Sequence, residues 1–161
     1  MGMDVYGKKP TDEVGAYFRR NVWGWRPLWN LVEDLVPWVE QKVQYGHTND
    51  GDGLNAEDSL ALAMELRELL GNGTVDAYLR RHQAMLDAMP DEQCQYCEGT
   101  GVRTDEVGVK MRMDQKGWCN GCQGKGTIRP FETWYGTDRE SVEEFVTFLE
   151  ASGGFEILQV S

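Results

Sequence analysis

From Asn55 to Leu70 the apolar side chains return every three or four positions, at Leu62, Ala63, Leu66, Leu69 and Leu70, which predicts an amphipathic helix. Gly71-Asn72-Gly73 ends it, and Thr74 is placed to cap a second helix with Val75, Tyr78, Leu79, His82, Met85, Leu86 and Met89 along one side. The two are expected to form an antiparallel hairpin. A third helical pattern, Val142, Phe145, Val146 and Leu149, follows the capping-box sequence Thr137-Asp138-Arg139-Glu140 and stops at Gly153-Gly154. Earlier in the chain, Thr11 precedes a short helix with Val14, Tyr17 and Phe18 on one side. Pro27 suits the first turn of a helix carrying Leu28, Leu31, Val32, Leu35 and Val39, which Pro37 then interrupts.

Strand patterns are fewer. Met3-Asp4-Val5-Tyr6-Gly7 is long enough for one strand, and Phe155-Glu156-Ile157-Leu158-Gln159-Val160 reads as a last one able to pair with residues 3–6 or 128–134. Val107, Val109, Met111 and Met113 alternate with Gly108, Lys110 and Arg112, which predicts a strand with one apolar face. Gly101-Val102-Arg103 is its expected hairpin partner. Ile128 to Tyr135 reads as extended, placed at a sheet edge by Pro130.

Between these elements lie two copies of one pattern, C-x-x-C-x-G-x-G, at Cys94–Gly101 and Cys119–Gly126, and they contain all four cysteines of the 161-residue chain. Two residues between paired thiolates let one tight turn aim both sulfurs at one ion, and four sulfurs close a tetrahedral zinc. The glycines suit a knuckle whose backbone needs positive φ. The start of the chain lacks a charged segment followed by an apolar run, so zinc is favoured over disulfides, and a cytoplasmic location over a secreted one. One zinc ion held by Cys94, Cys97, Cys119 and Cys122 is therefore expected.

The repeated motif resembles the zinc-binding module of DnaJ-type co-chaperones. That family carries four such units and two zincs, against two units here. It also carries His-Pro-Asp in its J domain, whereas the histidines of this chain read His47-Thr48-Asn49 and His82-Gln83-Ala84. The resemblance implies a rigid zinc hairpin used for polypeptide contacts, and no stimulation of a partner chaperone's ATPase. The amino-terminal stretch, with Tyr17-Phe18-Arg19 and Val22-Trp23-Gly24-Trp25-Arg26-Pro27-Leu28-Trp29, is similar to small uncharacterised bacterial and phage proteins, a likeness that implies no activity.

Charge narrows the partners. The chain has 16 basic and 27 acidic side chains, for a net −11. Residues 1–92 carry 9 basic and 16 acidic groups, residues 93–136 carry 6 and 5, and residues 137–161 carry 1 and 6. Such a body disfavours nucleic acid and anionic membranes. Lys110, Arg112, Lys116, Lys125 and Arg129, with Trp118 and Trp134, form the candidate nucleic-acid surface, and Trp23, Trp25 and Arg26 a second aromatic contact surface weighed against burial in the core. Asp50 and Asp52 sit in a loop resembling an EF-hand. It begins with Thr48 and ends with Ser59 where calcium needs carboxylates, which disfavours that ion and leaves Asp50 and Asp52, with His47, as a candidate second site for another metal. No nucleophile elbow, phosphate loop or zinc-protease motif is present, and acid pairs such as Glu33/Asp34 and Glu143/Glu144 point apart on a helix, so an enzyme is not expected.

The expected fold is α+β: a mainly helical acidic body over residues 1–92, a four-cysteine zinc hairpin over 93–128, and a strand–helix–strand return over 129–161. The expected function is that of an interaction or adaptor protein with a protein partner. An acidic nucleic-acid mimic that occupies a basic host nuclease or defence protein is the alternative, and a zinc-dependent nucleic-acid binder the third reading.

Overall fold

Alternation of Met3 and Val5 with Asp4 and Tyr6 gives β1 (Gly2–Gly7) one apolar and one polar face, and in the computed structural model it lies inside a four-stranded antiparallel sheet. The structure describes residues 2–158. On one side β1 pairs with β2 (Tyr17–Asn21), matching Val5 to Phe18 and Tyr6 to Tyr17. On the other it pairs with β6 (Phe155–Leu158), and β6 pairs in turn with β3 (Asp50–Leu54), giving the order β2-β1-β6-β3. Gln159 and Val160 of the expected last strand lie outside the described residues.

Two of these strands correct the sequence reading. Tyr17 and Phe18 were expected on a helix after Thr11; the helix is a single 3-10 turn, Glu13–Gly15, capped by Asp12. The chain then extends, so Phe18 faces the core while Tyr17 stays exposed. The Asp50–Asp52 loop is a strand as well, with a bulge between those two residues at Gly51. Partner strand β6 supplies the ladder that a polar, glycine-rich sequence does not favour by itself.

The body's helices are α1 (Val22–Leu35), α2 (Trp38–Lys42), α3 (Ala56–Gly71), α4 (Thr74–Ala88) and α7 (Arg139–Ser152). Helix α1 starts five residues before Pro27, because the Asn21 side chain accepts the Gly24 amide at 2.8 Å, leaving Pro27 inside the helix. Asn55 caps α3 and Asp138 caps α7 in the same way, so the α7 cap lies one residue beyond Thr137. Helix α3 packs chiefly on α7 rather than pairing with α4 as a hairpin.

The core gathers Met3, Val5, Phe18, Phe155 and Ile157 from the sheet, Leu62 and Leu66 from α3, and Phe145 and Leu149 from α7 around Trp25 and Trp29 of α1. Trp25 and Trp29 are fully buried and stacked, with ring centroids 5.4 Å apart. Trp25 is therefore core rather than contact surface. Trp23 is 36% exposed and stacks on Tyr135, and Arg26 is exposed. Among the described residues no helix is long and apolar enough to cross a membrane.

The chain divides into two compact units, residues 1–83 with 135–161 and residues 84–134, so the boundary falls within α4. The second unit holds a two-stranded ladder of β4 (Glu92–Gln93) and β5 (Thr127–Ile128), with two short helices, α5 (Glu106–Lys110) and α6 (Met113–Lys116). The expected strand over 107–113 is thus helical, broken at Arg112, whose φ is +59°. Val107, Val109 and Met111 are about half exposed, so no packed sheet face selects the two-residue period of their sequence.

Candidate metal centre

The β4–β5 ladder brings the two C-x-x-C-x-G-x-G copies side by side, and their backbones bond reciprocally. The Cys94 amide donates to the Gly126 carbonyl at 3.0 Å, and the Cys119 amide to the Gly101 carbonyl at 2.7 Å. Within each copy the second cysteine's carbonyl accepts an amide three residues on, from Thr100 and from Lys125, both at 3.1 Å. The same three positions turn left-handed in both copies: Glu98, Gly99 and Gly101 in the first, Gln123, Gly124 and Gly126 in the second. That turn points the last amide inward, and Gly101 and Gly126 donate to the sulfurs of Cys97 and Cys122 at 3.3 and 3.1 Å. Gly121 donates to Cys119 Sγ at 3.3 Å.

Gly101 and Gly126 also face the opposite knuckle. A methyl group on Gly101 would stand 2.8 Å from the Gly124 carbonyl oxygen, and one on Gly126 would stand 2.6 Å from that of Gly99. Gly101→Ala and Gly126→Ala should each lower stability by about 1–3 kcal/mol, from left-handed strain plus this collision. Gly136→Ala, at a position facing open space, is the control that should leave the urea midpoint unchanged.

All four thiols are buried and free. Cys94 and Cys119 sulfurs lie 3.9 Å apart, Cys97 and Cys122 sulfurs 3.7 Å apart, and all four within 4.8 Å of one another. Those separations are well beyond the ~2.05 Å of a disulfide. The four cysteines can hold a metal ion, and among the described residues no other His, Cys, Asp or Glu side chains gather in this way. Burial pushes the Cys94 thiol up to about 11. Burial also raises Cys97, but the Gly101 amide and the Cys122 sulfur outweigh it and bring the thiol down to about 7. Hydrogen bonds to sulfur stabilise the thiolate, the form that binds metal.

A buried arginine braces the cluster. Arg103 is 7% exposed; its guanidinium forks onto Asp105 at 2.6 and 3.1 Å, donates to Asn120 at 3.0 Å, and stacks 4.5 Å from the Tyr96 ring centre. Tyr96 and Asn120 lie inside the two C-x-x-C segments, so one side chain ties both knuckles together. No local pattern marks it, because its partners lie up to 24 positions apart, from Tyr96 to Asn120.

The remaining candidates stay apart. Asp52 accepts the Tyr45 and Gly53 amides and Asp50 is exposed, and among the described residues neither joins a group of three or more potential ligands. Lys110 pairs with Glu106 at 3.5 Å, while Arg112 and Trp118 are exposed. Arg129, another basic side chain of this unit, instead donates to the Leu86 and Met89 carbonyls at the end of α4 and to Asp91. Comparison with protein-family models, with curated proteins and with solved structures finds no match to this chain.

Proposed function

We propose that the four cysteines hold one structural zinc ion, and that the unit built on it, residues 84–134, is a protein-interaction module of an adaptor protein. A tetrahedral zinc with sulfurs at ~2.3 Å needs sulfur–sulfur separations of ~3.8 Å, against the 3.7 and 3.9 Å found. Four sulfurs leave no open coordination position, which favours bracing over catalysis.

One observation carries the interaction role. At the centre of this unit are the four cysteines with Ile128 against them, yet Val107, Val109, Met111, Trp118, Phe131 and Trp134 are each 42–55% exposed. A metal that replaces an apolar core frees large apolar side chains to face outward, where they serve as contacts.

The acidic-mimic reading draws on the other unit. Residues 1–83 with 135–161 hold 10 basic and 19 acidic side chains, a net of −9, against 6 and 8 in residues 84–134. Salt dependence separates the two readings. The probe is a fluorescein-labelled polypeptide kept unfolded by reduction and alkylation, titrated with the zinc-loaded full-length chain at about 0.05 and about 0.5 M salt. Saturable binding that persists in high salt and disappears on chelation, or in Val107→Ser/Val109→Ser/Met111→Ser, is the expected result. Absence of binding, or binding that vanishes in high salt, overturns it in favour of the charged body.

A further inference from the structure

The body unit contains a groove of about 390 Å³ that owes nothing to the metal centre. Its floor is apolar: Phe18 and Phe148 lie beneath, and Val14 and Tyr17, 45% and 44% exposed, form the rim on one side. The opposite rim is the outer surface of α7, which contributes Glu140, Glu143, Glu144 and Thr147. Among the described residues no basic side chain lines it, and Arg20 lies beside it, paired with Glu144.

The groove adjoins β2, which among the described residues ladders with β1 alone and is therefore an edge strand; the Arg20 guanidinium lies beside it, donating to the Arg19 carbonyl at 2.9 Å and stacking 4.5 Å from the Phe18 ring centre. Consecutive strand side chains point to opposite faces, and a cavity touched by both Tyr17 and Phe18 therefore meets the strand at its edge. An edge strand beside an apolar trough is the arrangement by which extended peptides add to sheets.

Charge selects the peptide. Glu143 pairs with Arg139 in an exposed ion pair that an incoming guanidinium can exchange at little cost, and Glu144 pairs with Arg20, whose side chain is 26% exposed and lies 4.5 Å from the Phe18 ring centre. Among the described residues Glu140 has no basic partner. We propose that this groove is a docking site for an extended basic segment of a partner protein, whose alternate apolar side chains fill the trough between Val14, Tyr17 and Phe148 while its arginines or lysines meet Glu140, Glu143 and Glu144. The groove stands on other residues than the zinc-held unit, and gives an adaptor a second, separate contact.

The test uses the full-length protein and a fluorescein-labelled octapeptide alternating arginine and valine, followed by anisotropy. Saturable binding is expected. It should be weakened at least about fivefold by Glu140→Arg, which reverses the free charge, and by Thr147→Arg, which fills the groove from an exposed position. A peptide alternating arginine and serine should bind more weakly, and chelation should leave the affinity unchanged, so loss of the zinc reading does not carry this one with it. Equal binding of the serine peptide, or indifference to both substitutions, would refute the site. So would sedimentation showing a self-associated chain that Thr147→Arg returns to monomers without any peptide binding, which would give the groove to a second copy.

Discussion

Cys97→Ser and Cys122→Ser are each expected to yield a protein with no bound zinc and with residues 84–134 unfolded. A serine hydroxyl keeps its proton at neutral pH and cannot replace a thiolate, so three sulfurs remain where a closed site needs four. The apparent free energy of a structural zinc site is about 10–16 kcal/mol, comparable to the ~5–15 kcal/mol total stability of a whole domain. Among the described residues the second unit has little else to hold it: a ladder of two residues per strand, two helices of five and four residues, and the side-chain bonds of Arg103 and Arg129. Native mass spectrometry should count one zinc per chain in the parent and none in the variants, and limited proteolysis should cut the variants between Cys94 and Gly126. Acidification should act in the same direction. With the Cys94 thiol near 11 and the Cys97 thiol near 7 in the metal-free site, protons compete with the ion for the Cys94 sulfur below about pH 11 and for the Cys97 sulfur as well below about pH 7, so affinity falls with pH and falls more steeply below neutrality. Full zinc occupancy and unchanged cleavage in both serine variants would remove the tetrathiolate from this account.

The cysteines were legible because metal chemistry fixes spacing: two residues between thiolates is a geometric requirement that survives any change in the surrounding fold. Helices α3 and α7 were legible for a related reason, since each must present one apolar face to the same core, and Leu62, Leu66, Phe145 and Leu149 record that face directly. Where long-range partners decide, the sequence is silent. Asp50–Leu54 becomes a strand only because β6 offers it a ladder, and Tyr17–Asn21 only because β1 does. The alternation from Val107 to Met113 misled for the opposite reason: Val107, Val109 and Met111 have no sheet face to pack on, so their period carries no packing information. Glu98 and Gln123 show a subtler limit. Both take left-handed φ at the residue after a cysteine, a position where the motif specifies no glycine, because the amide–sulfur bonds around them impose the turn. Arg103 and Arg129 were hidden because side chains that cap or brace through space leave no period in the chain.

Trp25→Ala should be the most damaging change outside the cysteines, and it separates the core role of this residue from the surface role its sequence neighbourhood suggested. The indole is fully buried, stacked on Trp29 at 5.4 Å and met edge-on by Phe145 at 5.7 Å, and its Nε1 donates to the buried Gly46 carbonyl at 2.7 Å. Removing the ring leaves a cavity costing about 3–5 kcal/mol, and the orphaned carbonyl adds on the order of 1 kcal/mol. The chain cannot easily refill the space, because a Cβ on Gly46 would overlap the Trp29 indole, so that loop already sits as close to the core as a glycine permits. Trp25→Phe divides the two contributions: most of the ring volume stays, the hydrogen bond goes, and the loss should shrink to about 1–3 kcal/mol. Trp23→Ala, two residues earlier, should cost well under half as much as Trp25→Ala, because Trp23 is already 36% exposed and its ring stacks on Tyr135 rather than in the core. Urea unfolding of the three variants, read by far-UV circular dichroism, should rank them Trp25→Ala, then Trp25→Phe, with Trp23→Ala far milder than Trp25→Ala. Equal losses for Trp23→Ala and Trp25→Ala would mean that α1 does not direct Trp25 inward, and the sheet-and-helix core described here would have to be rebuilt around a different face of that helix.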